Sequence, residues 1–177
     1  MNEIVRPDAY GVLTEPATLK IQRLLPGPIE RVWAFLTESD LRRKWLAAGH
    51  MEMKVGASFE LVWRNDELTN PPGQRPSDRN EENRMQSRIL ELDPPRKLVI
   101  AWATSGDVSF ELEPKGDQVL LTLIHRHLPD RGTLLGVGAG WHTHLDVLVA
   151  RARGKEPEPF WDQWSRLRRE YEQRIPA

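Results

Sequence analysis

Histidine is the residue type in this chain best suited to chemistry, and three of the five histidines fall within predicted elements of regular structure. His125 ends a predicted strand, whereas His142 and His144 lie in a predicted helix. Imidazoles bind zinc and exchange protons near neutral pH. Helical residues two positions apart point about 200° away from each other, so His142 and His144 do not reach one metal ion together. The spacing predicts no metal site and no cofactor.

The predicted facing of the strands and the helix brings His125 and His144 toward the inside of the fold, with Asp146 or Glu91 nearby. Two interpretations stay open. In the first, the two imidazoles form a polar pair that orients a ligand. In the second, they make hydrogen bonds between helix and sheet, as buried polar groups usually do. Exchange of His125 for phenylalanine separates the two, because the first predicts weaker ligand binding and the second predicts unfolding.

The sequence contains no motif of a common active site. It has no cysteine, which excludes disulfides, thiolate zinc sites and cysteine nucleophiles. The glycine-rich segment at 136–140 precedes a helix, but it lacks the strand and the spacing of a dinucleotide-binding loop. Paired inward carboxylates are also missing, apart from Glu91, whose facing is open. We therefore predict no catalytic residue, which favours a protein that is not an enzyme.

Charge and hydropathy narrow the choice of partners. The 25 Lys and Arg residues nearly balance the 26 Asp and Glu residues, so the net charge is −1 and nucleic acid is not an expected partner. The amino terminus lacks the basic start and apolar run of a secretory signal. No segment approaches the ~20 apolar residues of a membrane span. We expect a cytoplasmic protein without membrane insertion.

Hydrophobic periodicity predicts an antiparallel sheet with helices at both ends of the chain. We expect an extended lead-in over 1–17, a first strand over 18–25, and two short helices that begin near Pro28 and Thr37. Alternating strands follow, and the polar segment 65–83 is predicted to be a mobile hairpin loop, either a lid or disordered. In the run 84–92 the inward face is ambiguous.

A core helix is predicted from about Gly138 to Arg153, because Trp141, Leu145, Leu148 and Ala152 form one stripe. The domain then covers 18–153, and a Pro-rich break separates it from a tail, 154–177, whose helix docks on the domain.

The inward faces of these elements are rich in tryptophan, which favours a cavity for flat apolar or aromatic ligands. Ordinary core packing is the alternative for about half of these side chains. The residues predicted to line the cavity are Trp45, Phe59, Leu61, Trp63, Ile100, Trp102, Phe110, Leu123, His125, Trp141, His144, Leu145 and Leu148.

Four sequence blocks resemble a known family. They are PIERVWAFLTESDLRRKWL at 28–46, VGASFEL at 55–61, LDPPRKLVIAW at 92–102 and GAGWHTHLDVL at 138–148. Their order and spacing are similar to the bacterial proteins related to the activator of the heat-shock protein 90 ATPase, within the START-like or Bet v 1-like (SRPBCC) superfamily. Two features depart from the pattern: Ala57 stands where a second glycine is usual, and the 65–83 loop is longer and more polar.

The resemblance implies an α+β helix-grip fold, in which a curved antiparallel sheet wraps around a long carboxy-terminal helix. It also implies the binding of apolar small molecules, as in related members of the superfamily. Our first hypothesis is therefore a binder of a small apolar or aromatic ligand. The alternatives are a polyketide-cyclase-like enzyme and a protein-interaction or co-chaperone-like module, and a homodimer is left open. Chaperone activation is disfavoured, because in eukaryotic relatives it depends on a further amino-terminal domain.

Overall fold

A curved antiparallel sheet and a long helix form the body of the protein, whose computed structural model describes residues 8–103 and 106–175. Residues 1–7 of the predicted lead-in and 176–177 of the predicted tail lie outside the described residues. A short 3-10 helix, Asn65–Glu67, follows the third strand. The remaining elements are β1 (Val12–Glu15), β2 (Thr18–Pro26), α1 (Ile29–Thr37), α2 (Ser39–Arg42), β3 (Ser58–Trp63), β4 (Asn83–Asp93), β5 (Lys97–Trp102), β6 (Gly106–Lys115), β7 (Gln118–Arg126), α3 (Arg131–Ala152) and α4 (Phe160–Arg174).

The seven strands found in the described ranges form one sheet in the order β1-β2-β7-β6-β5-β4-β3. Neighbouring strands are antiparallel throughout, and the central pair places Phe110 opposite Leu123 and Val108 opposite His125. On β7 every second residue is buried, as the alternating pattern predicted. The buried faces pack against α3, where Leu145 and Leu148 are inaccessible to solvent. This arrangement confirms the predicted α+β helix-grip fold.

A β-bulge explains why the inward face of β4 is ambiguous in the sequence. Ile89 pairs with Ile100, but the register shifts before Glu91, which pairs with Val99. Ser87 and Ile89 are buried on the inner side before the bulge. The extra residue interrupts the period of two, so the alternation on one side of the bulge does not continue on the other.

The helix α3 begins at Arg131, about two turns before the predicted start at Gly138, so that boundary was wrong. The side chain of Asp130 caps the helix, since its Oδ1 accepts a hydrogen bond from the backbone N of Thr133 over 2.7 Å. Glycines at 132, 136, 138 and 140 weaken the helical signal of this first half. The cap and the tertiary contacts of α3 offset that low propensity.

The 65–83 segment packs on α4, so the alternative of a disordered loop was wrong. The backbone N of Trp161 donates to the carbonyl O of Pro72 over 2.9 Å, and the Trp161 indole donates to Asp66 Oδ1 over 2.6 Å. Leu68 is buried in the core. A segment that is polar in composition is thus fixed by a few specific contacts.

Part of the predicted lead-in belongs to the sheet. In β1, Val12 pairs with Lys20 and Leu13 pairs with Leu19, which makes β1 the edge strand beside β2. Immediately before it, the backbone N of Gly11 donates to the Tyr171 hydroxyl of α4 over 2.7 Å. The strand is short and has no strict alternation of burial, which is why the sequence pattern does not identify it.

Candidate functional site

Three tryptophans meet at one end of the sheet, where β3 and β5 each finish on an indole. Trp63 and Trp102 have ring centroids 5.5 Å apart at an interplanar angle of 71°. Trp141 of α3 lies 5.1 Å from Trp102, measured between ring centroids. The first pair is an edge-to-face contact and the second is tilted at 50°, and rings at such separations and angles attract each other. The strand ends and the helix therefore hold these rings in fixed positions.

A pocket of about 110 Å³ opens beside these rings, and we call it the tryptophan pocket. Its volume is below the ~300–1,000 Å³ of sites for drug-sized ligands. It is closer to the ~150 Å³ apolar cavity that accepts benzene. Apart from His144 its lining is aromatic, aliphatic or glycine, and the lining residues are Leu46, Trp63, Trp102, Val137, Gly140, Trp141 and His144.

Of the thirteen residues predicted to line a cavity, four line this pocket: Trp63, Trp102, Trp141 and His144. The nine others are buried in the core around it, and they are Trp45, Phe59, Leu61, Ile100, Phe110, Leu123, His125, Leu145 and Leu148. Trp45, for example, is fully buried and its indole donates to the carbonyl O of Phe35 over 2.8 Å. Most of the predicted cavity is thus filled by side chains.

Three lining residues were missed by the sequence reasoning. Val137 and Gly140 share a helical face with Trp141 and His144 at the spacing i, i+3, i+4 and i+7, so an earlier start of α3 would have included them. Leu46 directly follows the buried Trp45, and no periodic signal distinguishes it.

His144 supplies the polar group of the tryptophan pocket. Its Nδ1 lies 2.8 Å from the backbone O of Trp45. A carbonyl only accepts, so Nδ1 carries the proton and Nε2 keeps its lone pair. Burial lowers the pKa of His144 to about 4, although the bond to Trp45 opposes that shift. At neutral pH the ring is therefore uncharged, and Nε2 makes no hydrogen bond to any residue that the structure describes.

His125 is bound to the helix instead of to the other histidine. Its Nδ1 accepts a hydrogen bond of 3.0 Å from the indole Nε1 of Trp141. Burial lowers the pKa of His125 to about 4, and the charge of Asp107 only partly opposes this shift. The predicted meeting of His125 and His144 was therefore wrong, because each imidazole bonds to a tryptophan and not to the other.

Asp146 and Glu91 also lie away from the two imidazoles, contrary to the prediction. Asp146 faces β2 and α4, where it accepts hydrogen bonds from Arg23 Nε over 3.1 Å and from Gln163 Nε2 over 2.6 Å. Glu91 is on the surface and pairs with Lys97 at 3.1 Å. Neither carboxylate lines the tryptophan pocket.

A second polar cluster joins α3 to α4 and to the start of the sheet. Burial raises the pKa of Tyr171 to about 12, so its hydroxyl stays protonated at neutral pH, and it forms a hydrogen bond of 2.9 Å with His142 Nδ1. His142 Nε2 lies 3.4 Å from Asp146 Oδ2. Burial raises the pKa of Asp146, but the hydrogen bond from His142 and the charge of Arg23 outweigh it and hold that pKa below its usual value. These contacts hold α3, α4 and β2 together.

Neither cluster has the composition of a metal centre. Within 8–103 and 106–175, no group of three or more His, Asp or Glu side chains is arranged to hold a metal ion. In the same ranges, no helix combines the length and the apolar character needed to cross a membrane.

Several solved structures are similar to this one. The solution NMR structure of a Bordetella parapertussis protein, encoded by gene BPP1335, is 37% identical with a TM-score of 0.78, and the match covers 97% of this chain and 93% of that chain. The crystal structure of CalU16 from Micromonospora echinospora is 25% identical with a TM-score of 0.66, and the match covers 89% and 87%. A conserved Enterococcus faecalis protein of unknown function, 17% identical with a TM-score of 0.68, shares the fold over 91% and 86%.

A search of curated proteins found no match. The model of one protein family, described as "Activator of Hsp90 ATPase homolog 1-like protein", matches residues 26–153, which include everything from the end of β2 to the end of α3. The match covers most of the chain and agrees with the sequence resemblance. The chain belongs to this family.

Proposed function

We propose that this protein binds a small aromatic molecule, or one aromatic ring of a larger molecule, in the tryptophan pocket. The observation that carries the proposal is the pocket of about 110 Å³ with three indoles and one imidazole in its wall. That volume accepts a single ring, so the rest of a larger ligand lies outside. Aromatic contacts contribute about 0.5–1.5 kcal/mol each beyond the area they bury.

We further propose that His144 selects the ligand, because it lines a pocket without a charged side chain and its unprotonated Nε2 can accept a hydrogen bond. A phenol O–H or an indole N–H donates to such an acceptor. A carboxylate brings only further acceptors, and its burial without a partner costs free energy. We therefore propose an uncharged aromatic ligand with one hydrogen-bond donor. The small volume also favours binding over cyclisation, since a poly-β-ketone chain needs more enclosed space.

Binding of phenol, measured by NMR titration, tests the proposed site with two matched glycine variants. Gly140 lines the pocket, and an alanine methyl there has only Trp164 Nε1 within 4 Å, at 3.9 Å. Gly136 lies one turn earlier, outside the lining, with Arg79 Nη2 at 4.0 Å. We expect Gly140→Ala to weaken phenol binding at least about fivefold, because the methyl fills ligand space. Gly136→Ala should leave the affinity unchanged.

Both alanines replace a glycine inside α3, so both should raise the free energy of unfolding by a similar amount, about 0.5–1 kcal/mol. Equal phenol affinities in the two variants would place phenol outside the pocket and overturn the proposal.

The hydrogen bond to His144 has its own test. Phenol and toluene have similar shapes, but only phenol donates, so the wild-type protein should prefer phenol and His144→Phe should lose that preference. A preference that persists in His144→Phe contradicts the role of Nε2. Turnover of a poly-β-ketone by the wild-type protein would instead support the cyclase alternative.

A further inference from the structure

A second cleft, of about 570 Å³, is separate from the tryptophan pocket and shares only Leu46 with it. It lies between the end of α2, the outer face of β3 and β4, and the end of α3. We call it the basic cleft, because its wall includes Arg43, Lys44, Arg64, Arg84 and Arg151 but a single carboxylate, that of Glu67. A protein of net charge −1 thus concentrates positive charge at one place.

Neighbouring carboxylates neutralise part of this charge. Glu82 pairs with Arg64 at 2.8 Å and with Arg84 at 3.1 Å. Arg84 also pairs with Glu60 at 2.9 Å. These contacts fix the two guanidinium groups on the side of the cleft formed by β3 and β4.

The three other cations keep most of their charge uncompensated. Lys44 forms no ion pair with any described residue, and Arg43 approaches only the exposed Asp40, at 4.0 Å. Arg151 is half-buried and donates to the backbone O of Leu68 over 2.7 Å, a neutral partner. The cleft therefore has a net positive potential toward its mouth.

The lining of the basic cleft also has an apolar part. It consists of Phe35, Leu46 and Val62 together with two alanines, and Phe35 and Leu46 are buried. A volume of about 570 Å³ lies within the ~300–1,000 Å³ range of small-molecule sites. A lining that combines apolar side chains with an excess of cations is complementary to a molecule with an apolar body and one anionic group.

We propose that the basic cleft binds a small amphipathic anion, whose carboxylate or similar group lies against Lys44, Arg43 and Arg151 and whose apolar part lies on Phe35, Leu46 and Val62. This site is distinct from the tryptophan pocket, which holds no charged side chain. It also takes a different class of ligand, and it does not depend on the proposed binding of an aromatic donor.

Isothermal titration with dodecanoate and with dodecyltrimethylammonium, both below their micellar concentrations, tests the sign of the charge. We expect dodecanoate to bind about tenfold more tightly than the cation of equal chain length. The difference should shrink as the salt concentration rises from about 50 mM to about 500 mM, because the cleft is open to solvent. Equal affinities for the two amphiphiles would overturn the proposal.

Paired substitutions locate the site. Arg43→Gln with Lys44→Gln removes two exposed cations of the cleft, and we expect about tenfold weaker dodecanoate binding. The control, Lys54→Gln with Arg88→Gln, makes the same change in net charge at exposed positions outside the cleft. If the control lowers the affinity as much as the cleft variant, the binding depends on overall charge and the site assignment fails.

A last variant separates this site from the tryptophan pocket, because both volumes have apolar side chains in their walls. Gly140→Ala should leave the dodecanoate affinity unchanged, and the Arg43, Lys44 double variant should leave phenol binding unchanged. Loss of dodecanoate binding in Gly140→Ala would place the chain in the tryptophan pocket and contradict the proposal for the cleft.

Discussion

The indole Nε1 of Trp141 donates a hydrogen bond of 3.0 Å to Nδ1 of His125, and this bond joins the buried face of α3 to β7 in the core. The bond fixes the imidazole tautomer, because an Nδ1 that accepts leaves the proton on Nε2. It also fixes the orientation of Trp141, one wall of the tryptophan pocket.

His125→Phe should therefore lower the free energy of unfolding by about 1–3 kcal/mol, because the buried Trp141 N–H loses its acceptor. Urea denaturation measures this change. The double variant His125→Phe, Trp141→Phe removes donor and acceptor together and should be less destabilised than the sum of the single variants. Purely additive losses would show that the hydrogen bond contributes little.

Acid should destabilise the protein in a defined pH range through His125 and His144. Burial lowers the pKa of both to about 4, whereas a histidine in the unfolded chain titrates near 6.5. Between these values the unfolded state binds more protons, so stability is complete above about pH 6.5 and falls as the pH decreases toward 4. Denaturation at several pH values should show this slope, and His125→Phe should reduce it. A slope of opposite sign would contradict the burial of these neutral rings.

Gly49 should tolerate no side chain, because of both its backbone angle and the lack of space for a Cβ atom. A control at Gly56 separates the two effects. Its φ is +142°, and a Cβ atom there would overlap the backbone O of Glu60. Gly56 also has a positive φ, +89°, but no atom lies within 4 Å of its Cβ position. We expect Gly49→Ala to cost more than about 3 kcal/mol and Gly56→Ala about 1 kcal/mol. Equal losses by thermal denaturation would mean that the backbone angle alone decides.

Arg42 should be essential for stability although it has no carboxylate partner among the described residues. Its guanidinium is buried and donates to the backbone O atoms of Leu36, Thr37, Ala47 and Gly49. Burial lowers its pKa to about 10, so the group is still charged at neutral pH. Arg42→Met should lower the free energy of unfolding by about 3 kcal/mol or more, because the carbonyls lose their donor.

The neighbouring Arg43 is exposed and gives a matched control for the loss of one positive charge. Arg43→Met should change the stability by less than about 0.5 kcal/mol. A similar loss in both variants would indicate an effect of charge and not of the buried carbonyls.

Hydrophobic periodicity predicts the sheet and its packing on α3, because successive residues of a strand point to opposite faces and only one face is buried. Leu121, Leu123 and His125 illustrate this on β7. At β4 the same rule fails, since the bulge between Ile89 and Glu91 changes the facing, and no residue type in that run marks a bulge.

Local hydrophobic periodicity does not predict the contacts of the 65–83 segment. Asp66 meets its indole partner 95 residues later, on Trp161. The polar composition of the segment indicates that few of its side chains are buried. Composition alone does not identify hydrogen-bond partners that lie far away in the sequence. Long-range partners decided the conformation here.

The candidate site was predictable in its residue types and not in its volume. Trp63, Trp102 and Trp141 point inward as their spacing implies, yet neighbouring side chains fill most of the space between sheet and helix. Packing of this kind depends on rotamers and on exact distances between elements. The bonds of His144 and His125 depend on the same details.

The glycine-rich first half of α3 also affects how the tryptophan pocket can change in evolution. Gly136 and Gly140 adopt ordinary helical angles, so neither is required by the backbone. Every glycine codon is one base change from an alanine codon, and each such change adds a methyl group while it strengthens the helix. Of the two, only Gly140 lines the tryptophan pocket. Under the proposed function, ligand size is therefore set partly at a position that selection can alter without loss of stability, and a single mutational step there changes the volume of the pocket.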